Sequence, residues 1–410
     1  MLHDKLKAIP RRDLMRLFKE YGKMSVLLAA GGMTGAVTLP GLARAANSTY
    51  EKRLGKKARF NLKFGAAGFN ERNTLIERAG VLEFVRDVEE RTDGEILIEF
   101  IGNNQICNQL DCVKKTQQGI VDIYAASTQN SAGGAPYLNV LDYAFMFPSR
   151  ASQYHFFYHP MSQKLLRDPL RERHGVQFLF THCELRGLPM GLKYADKPLI
   201  KSVGELAGTK NRVTGTQLGR IAMNLMNLNP VPVAWEEFLD GLKSGLLDGG
   251  ETWASAVAYA NMSPVVAQFV DLEFFCGTEH TAMNASVFDS LGGDLQDAVM
   301  ESSYTTQILV QHANEAALVN TVGYSDPQLP NTIFAKNKTR VAFMSPEAKK
   351  EARDMCAPDQ HQSEWAEWRD RLDNWAGGVD TYTTISEIAR EVPEGTLPEN
   401  IEPRRWWKSA

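Results

Sequence analysis

The hydrophobic pattern of residues 210–253 divides into short apolar runs and amphipathic stretches that follow one another in a fixed order. Arg212 lies in a run that predicts a short strand, and this run leads through the Thr-Gly-Thr sequence at 214–216 into a helix. Apolar side chains recur on that helix at helical spacing, at Leu218, Ile221, Ala222, Leu225 and Leu228. The pattern then predicts a strand at 231–233, a helix at 235–245 and a strand at 246–247. This βαβαβ order implies parallel strands with right-handed crossovers.

A similar pattern lies earlier in the chain. It predicts strands and helices in alternation, at 59–64, 74–90, 95–101, 110–118 and 120–126. Two such units predict two α/β lobes, each a mostly parallel sheet flanked by helices. Strands that cross between the lobes are expected at 177–184, 267–275 and 281–287. A stretch without proline at 294–321 predicts a helix long enough to bridge both lobes.

Ligands bind a parallel sheet beyond the carboxyl ends of its strands. Arg212, Trp235 and residues 251–253 lie at or near those predicted ends. An arginine in this position can donate two hydrogen bonds to one carboxylate, and the helix start adds N–H donors for the same anion. The alternative is a structural arginine that pairs with an acid of the other lobe. Trp235 and Trp253 are each either a wall of the ligand site or part of the ordinary core.

Composition and charge narrow the class of protein. The chain has 410 residues, enough for two domains, and its 43% apolar and 23% charged residues are ordinary for a globular protein. Residues 1–45 carry eight basic and three acidic side chains, whereas the remainder carries 37 basic and 46 acidic ones. This acidic balance disfavours nucleic acid as a partner. The sequence contains no nucleophile elbow, Walker loop or HExxH motif, so we expect no enzymatic activity.

Residues 1–45 have the pattern of an export signal. Basic residues precede a mildly apolar run at 24–39, and Ala43 and Ala45 supply the small residues that a signal peptidase reads. The pair Arg11–Arg12 resembles a twin-arginine signal. A membrane anchor is the alternative, but the run is short and weakly apolar for spanning ~30 Å of hydrocarbon. We therefore expect export by the twin-arginine machinery, cleavage near Ala45 and a periplasmic location.

Five cysteines are too few for a disulfide framework. Cys107 and Cys112 lie between a predicted strand and a predicted helix, where two alternatives stay open. They either close a small loop in an oxidising compartment or pack as independent thiols. No spacing of cysteine and histidine indicates zinc, and we expect neither a metal nor another cofactor.

Several runs of the chain resemble one known family. The runs IKSVGELAGTKNRV at 200–213 and PVAWEEFLDGLKSGLLDGGETW at 232–253 are similar to the DctP-type solute receptors of tripartite ATP-independent periplasmic (TRAP) transporters. The upstream run VEERTDGEILIEFIGNNQI and the downstream runs SLGGDLQDAVMESS and VAFMSPEAKKEA fit the same family. The resemblance implies two α/β lobes, joined by crossing strands and a long helix, that close over an organic anion.

The resemblance also implies roles for individual residues. Arg212 matches the arginine that fixes the carboxylate of the ligand, and Trp235 falls where an aromatic residue commonly lines the pocket. Lys193 lies at about the spacing expected for a second polar ligand group, and Arg186 is its rival for that role.

Three further candidates fall where members of the family differ. Thr252 lies where many members have asparagine and some have glutamate, and Trp253 lies where many have proline. Glu279 is near a position that helps to hold a metal ion in some binders of 2-oxo acids. The partnering glutamate of that arrangement is replaced here by Thr252, so no metal is predicted.

Taken with the resemblance, the chain divides into an export signal and two lobes. Lobe I is expected to comprise residues 58–183 and 281–345, and lobe II residues 184–280 and 346–400. The implied function is a periplasmic receptor that captures an organic acid and delivers it to the permease subunits of a TRAP transporter. An ABC-type receptor and a secreted α/β enzyme that acts on a small carboxylate are the alternatives. The sequence does not define which acid is bound.

Overall fold

One mixed β-sheet organises residues 58–68 and 76–408, the residues that the computed structural model describes. Its strands are β1 (Phe60–Ala66), β2 (Ile96–Ile101), β3 (Ile123–Ser127), β4 (Val176–Gly191), β5 (Lys210–Val213), β6 (Asn229–Pro232), β7 (Gly249–Gly250), β8 (Val266–Asn284) and β9 (Arg340–Phe343). Their order across the sheet is β2-β1-β3-β8-β4-β7-β5-β6, and β9 pairs with β8. The export signal expected at 1–45 lies outside the described residues.

Helices lie in the segments that connect the strands and flank the sheet. They are α1 (Ile76–Arg91), α2 (Cys112–Gln117), α3 (Thr128–Ser131), α4 (Arg150–Tyr158), α5 (Asp168–His174), α6 (Gln217–Leu225), α7 (Trp235–Ser244), α8 (Ala254–Tyr259), α9 (Ala285–Leu291), α10 (Gly293–Ala317), α11 (Ile333–Asn337), α12 (Pro346–Cys356), α13 (Gln362–Trp375) and α14 (Thr381–Arg390). None of these helices combines the length and the apolar character needed to cross a bilayer.

Both predicted βαβαβ units are confirmed. β1 pairs in parallel with β2 and β3, and β5 pairs in parallel with β6 and β7. The predicted third strand of the later unit was wrong by a few residues, since the ladder is made by β7 and not by 246–247. The reason is the end of α7: Gly245 takes a left-handed conformation, and Leu247 then turns into the core beneath that helix.

The long strands β4 and β8 join the two units as an antiparallel pair. β8 runs without interruption over 19 residues, so the expectation of two separate strands at 267–275 and 281–287 was wrong. Polar residues between those stretches are accommodated within the strand because neighbouring groups satisfy them. Thr278, for example, is buried and donates a hydrogen bond to Thr128 at 2.7 Å.

The pairing of β4 with β8 changes register near its middle. Arg186 stands opposite Phe275, whereas Leu188 stands opposite Val270, so residues 271–274 form a bulge on β8. Gly187 lies at this point, and a Cβ there would collide with the carbonyl group of Val270. The bulge marks the passage from one parallel unit to the other and fixes where the side chain of Arg186 emerges.

The predicted bridging helix corresponds to α10, which packs against α1 and β4. Gln307 joins this helix to the sheet, because its Oε1 accepts a hydrogen bond from the backbone N–H of Thr181 at 2.9 Å and its Nε2 donates to the carbonyl of the same residue. The helix was predicted to reach residue 321, but its last turn widens into a π-helix at Leu318–Val322. The hydroxyl of Ser345 caps the start of α12.

The later elements pack across both predicted lobes. β9, assigned from sequence to lobe I, pairs with the part of β8 that begins in lobe II. α12 packs against α6, whereas α14, assigned to lobe II, packs against α4. The two-lobed α/β class is confirmed by the fold, while the residue bounds of each lobe stay a prediction.

His280 illustrates how β8 buries a titratable group. Its two ring nitrogens lie 2.6 Å from the hydroxyl of Tyr124 and 3.0 Å from that of Thr128, and the ring stacks on Phe178. Burial lowers the pKa of His280 to about 3. The ordinary pKa of histidine is ~6.5, so below that pH the unfolded chain takes up a proton that the folded chain refuses.

Folding stability should therefore fall as the pH drops from ~6.5 toward 3, with His280 contributing up to about 1.4 kcal/mol for each pH unit. Urea unfolding at several pH values measures this slope. His280→Asn should reduce the slope, whereas His361→Gln, outside the core, is the control and should leave it unchanged. An unaltered slope in His280→Asn would show that the buried imidazole is not the source.

Candidate functional site

A cavity opens between the two parallel units, beside the crossing strand β4. It lies beyond the carboxyl ends of β5 and β7 on one side and of β3 on the other, as expected for a ligand site of a parallel sheet. Its lining side chains belong to Gln109, Ser127, Asn130, Arg186, Arg212, Thr214, Trp235, Thr252, Trp253 and Tyr259.

Arg212 lies near the end of β5 and is buried. Its Nε donates to the carbonyl of Val233 at 3.1 Å, and its Nη1 lies 3.4 Å from both the carbonyl oxygen and Oε1 of Glu251. Nη2 has no hydrogen-bond partner among the described residues. Burial lowers the pKa of Arg212 to about 10, opposed by Glu251, so the side chain is still protonated at neutral pH.

Arg186 reaches the same cavity from β4 and contacts both parallel units. Its Nη1 forms an ion pair with Glu251, and its Nη2 donates to Oε1 of Gln129 at 2.7 Å. The guanidinium carbon lies 4.8 Å from the centre of the Trp253 ring. Its Nε has no hydrogen-bond partner among the described residues.

Glu251 is the residue that sequence reasoning missed. Its carboxylate lies between the two guanidinium groups and also accepts a hydrogen bond from the backbone N–H of Thr214 at 2.8 Å. Glu251 directly follows β7, the neighbour of the strand that carries Arg212. The sequence did contain a signal for this pairing, because Glu251 is an acidic residue at the end of a strand and the candidate cation Arg212 lies on the neighbouring strand.

Aromatic rings form the walls of the cavity. Trp235, at the start of α7, lies with its ring centre 5.6 Å from the guanidinium carbon of Arg212 and 6.3 Å from the ring centre of Tyr259. Trp253 is buried, and its Nε1 has no hydrogen-bond partner in the described part of the chain. Thr252 is fixed by backbone hydrogen bonds with Gly187 at 2.9 and 3.2 Å.

A disulfide between Cys107 and Cys112 closes the loop that holds Gln109. The structure thereby decides between the two alternatives that the sequence left open. Oε1 of Gln109 accepts a hydrogen bond from the backbone N–H of Ser127 at 2.7 Å, and its Nε2 lies 3.4 Å from the carbonyl of Ala67. The loop thus fixes one lining residue of the cavity to the end of β3.

Two of the residues suggested by the family resemblance lie away from the cavity. Lys193 is exposed and pairs with Asp248 at the other end of β7, whereas its rival Arg186 lines the cavity beside Arg212. Glu279 is half-buried on β8, opposite Ser127 in the strand pairing, and does not line the cavity. Within the described residues, the one close group of potential metal ligands contains Cys107 and Cys112, which are joined to each other.

The expected helix-start donors are also occupied. The hydroxyl of Thr216 caps α6 by accepting hydrogen bonds from the backbone N–H groups of Leu218 and Gly219 at 3.2 and 3.5 Å. The same hydroxyl donates to Asn139 at 3.1 Å, which ties the helix start to the other unit.

Glu251→Gln should destabilise the fold by about 3–5 kcal/mol, because two buried guanidinium groups would then face each other without a counter-charge. Adding Arg186→Met should restore part of this loss, since it removes the repulsion. Chemical unfolding of the wild type, both single variants and the double variant measures the coupling. Strictly additive effects would mean that the pair does not interact energetically.

Comparisons with known proteins identify the family of the chain. A profile of the DctP family, bacterial extracellular solute-binding protein family 7, matches residues 67–363. The 2,3-diketo-L-gulonate-binding periplasmic protein of Escherichia coli (strain K12) is 23% identical over 246 residues, which are 58% of this chain and 70% of that protein.

Solved structures share the fold. A TRAP periplasmic solute-binding protein from Sulfitobacter sp. NAS-14.1 with bound β-D-galacturonate has a TM-score of 0.63 and 18% identity, and the match covers 81% of this chain and 100% of that one. One from Shewanella oneidensis with bound succinate has a TM-score of 0.65 and 17% identity, with 80% and 98% covered.

Proposed function

The chain belongs to the DctP family of bacterial extracellular solute-binding proteins, and we propose that it captures a small organic acid between its two lobes for delivery to the permease subunits of a TRAP transporter. The observation that carries this proposal is the pair of buried arginines at one cavity, each with an N–H group that has no partner among the described residues. Buried donors of this kind favour an anionic acceptor.

The roles within the site follow from the contacts. Arg212 anchors the carboxylate of the ligand, and Arg186 takes the second cationic role that the sequence left between it and Lys193. Trp235 and Trp253 enclose the ligand, and Thr252 contributes at its edge. The carboxylates bound by the Sulfitobacter and Shewanella proteins support this class of ligand.

Arg186 also supports a mechanism of lobe closure. It contacts Gln129 and Ser127 of the first parallel unit and Glu251 of the second. A ligand that binds the same guanidinium groups stabilises the closed arrangement over an open one, which shifts the population toward closure. The family consists of receptors, and the ligand should be recovered chemically unchanged after binding; its conversion would support the enzyme alternative instead.

Arg212→Ala should weaken binding of the acid by about 2–5 kcal/mol, because a buried carboxylate would lose its charged partner. This corresponds to roughly a 30- to 3000-fold loss of affinity. Arg212→Lys should recover only part, since lysine keeps the charge but lacks the planar fork. Titration calorimetry with an acid identified by thermal-shift screening measures both variants.

Lys193→Ala is the matched control, because it removes an exposed cation outside the cavity and should leave the affinity nearly unchanged. Circular dichroism establishes that each variant is folded. A folded Arg212→Ala protein with wild-type affinity would contradict the assigned role of Arg212.

The precursor should enter the periplasm through the twin-arginine machinery, because Arg11 and Arg12 precede an apolar run and a small-residue cleavage site. Lysine at both positions should hold the precursor in the cytoplasm. N-terminal sequencing of periplasmic protein should place the first residue near Ala46. Normal export of the double-lysine variant would indicate the general secretory route.

A further inference from the structure

The charge around the cavity is smaller than its two arginines suggest. Arg186 and Arg212 are the charged side chains among the described residues that line it. Glu251 contacts both guanidinium groups, and all three side chains are buried. The carboxylate therefore cancels one positive charge, and the cluster Arg186–Glu251–Arg212 carries a single net positive charge.

Other acids near this cluster lower its charge further or leave it unchanged. Burial raises the pKa of Asp142 to about 7, opposed by Arg186, so Asp142 is partly ionised near neutral pH. Glu184, two residues before Arg186, is buried and accepts hydrogen bonds from the backbone N–H and the hydroxyl of Ser255. Because any negative charge on these groups subtracts from the cluster, one is an upper limit for its net positive charge.

The donors that have no partner fit one carboxylate. They are Nε of Arg186, Nη2 of Arg212 and Nε1 of Trp253, together with the hydroxyl of Thr214. All four belong to residues that line the cavity, and none has a hydrogen-bond partner among the described residues. These nitrogens donate and do not accept, and an ionised carboxylate offers about four acceptor positions on two oxygens. A single carboxylate is therefore matched to the cluster in both charge and hydrogen-bonding capacity.

The apolar part of the cavity lining adds a second restriction. The aromatic rings of Trp235, Trp253 and Tyr259 occupy much of its wall. This wall provides an apolar surface for the remainder of the ligand, and the described lining has no cationic side chain besides Arg186 and Arg212.

We propose that Glu251 makes the site selective for small monocarboxylates, by cancelling one of the two arginine charges so that a second carboxylate on the ligand would be buried without a counter-charge. The proposal rests on the function proposed above and narrows its ligand class. An uncompensated buried charge is strongly disfavoured, which is the physical source of the selectivity.

Isosteric pairs of ligands test the proposal directly in the wild-type protein. Succinamate and succinate have nearly the same shape, but succinate carries a second negative charge at neutral pH; malonamate with malonate and glutaramate with glutarate extend the series. Calorimetry should find the monoanion of a pair bound at least about tenfold more tightly than its dianion.

Glu251→Gln should shift this ratio toward the dianion by at least about tenfold, because the cluster then carries two positive charges. The matched control is the double variant Arg186→Met with Glu251→Gln, in which one positive charge remains and the preference for the monoanion should return. Circular dichroism checks the fold of both variants. If Glu251→Gln does not fold, the affinities for the monoanion and the dianion are compared in the wild type and in the double variant. A preference for the monoanion in both proteins then supports the proposal.

The possible failures are distinguishable. A wild-type protein that binds a dicarboxylate as tightly as its isosteric monoamide overturns the selectivity while supporting the organic-acid receptor. A wild-type protein that binds no carboxylate in a broad thermal-shift screen overturns the proposed function, and this inference with it.

Discussion

Burying two guanidinium groups at one cavity requires a counter-charge in the same place, and much of the site follows from that requirement. Glu251 supplies the counter-charge from the end of β7, so β7 must lie beside β5, the strand that carries Arg212. Arg186 must arrive from β4, which requires that strand to cross between the parallel units. The ion pairs thus join three strands whose residues are far apart in the chain.

The crossing strand β4 and much of the crossing strand β8 are buried although they carry polar side chains. Those buried groups require hydrogen-bond partners within the protein. Hydrogen bonds from the first parallel unit satisfy His280 on β8, and Gln307 of α10 pairs with the backbone of Thr181 on β4. These bonds fix the two long strands against the first unit and α10. The bulge opposite Gly187 then sets the position at which Arg186 meets the cavity.

These two features explain why binding and closure are coupled in the proposed function. The groups that hold a ligand carboxylate are the same groups that connect the lobes, through Gln129 on one side and Glu251 on the other. In the proposed function, a ligand therefore stabilises the contact between the lobes directly, because it binds the residues that form that contact. Because that contact already contains the carboxylate of Glu251, the proposed selectivity concerns the charge of the ligand.

Local periodicity was sufficient to predict both βαβαβ units and the position of Arg212 at a strand end. The reason is that burial of one face of a helix or strand makes apolar residues recur at regular spacing along the chain. The choice between Lys193 and Arg186 was not local. It depended on how β4 pairs with β8, since that register sends Arg186 into the cavity and leaves Lys193 beside Asp248. Glu251 was visible in the sequence as an acid near Arg212, but its second partner lies 65 residues away. The sequence by itself thus determined most of the strands and helices and placed Arg212 at the end of a strand. Only the tertiary structure decided which charges share a buried space, because electrostatic pairing depends on distance in space and not on separation along the chain.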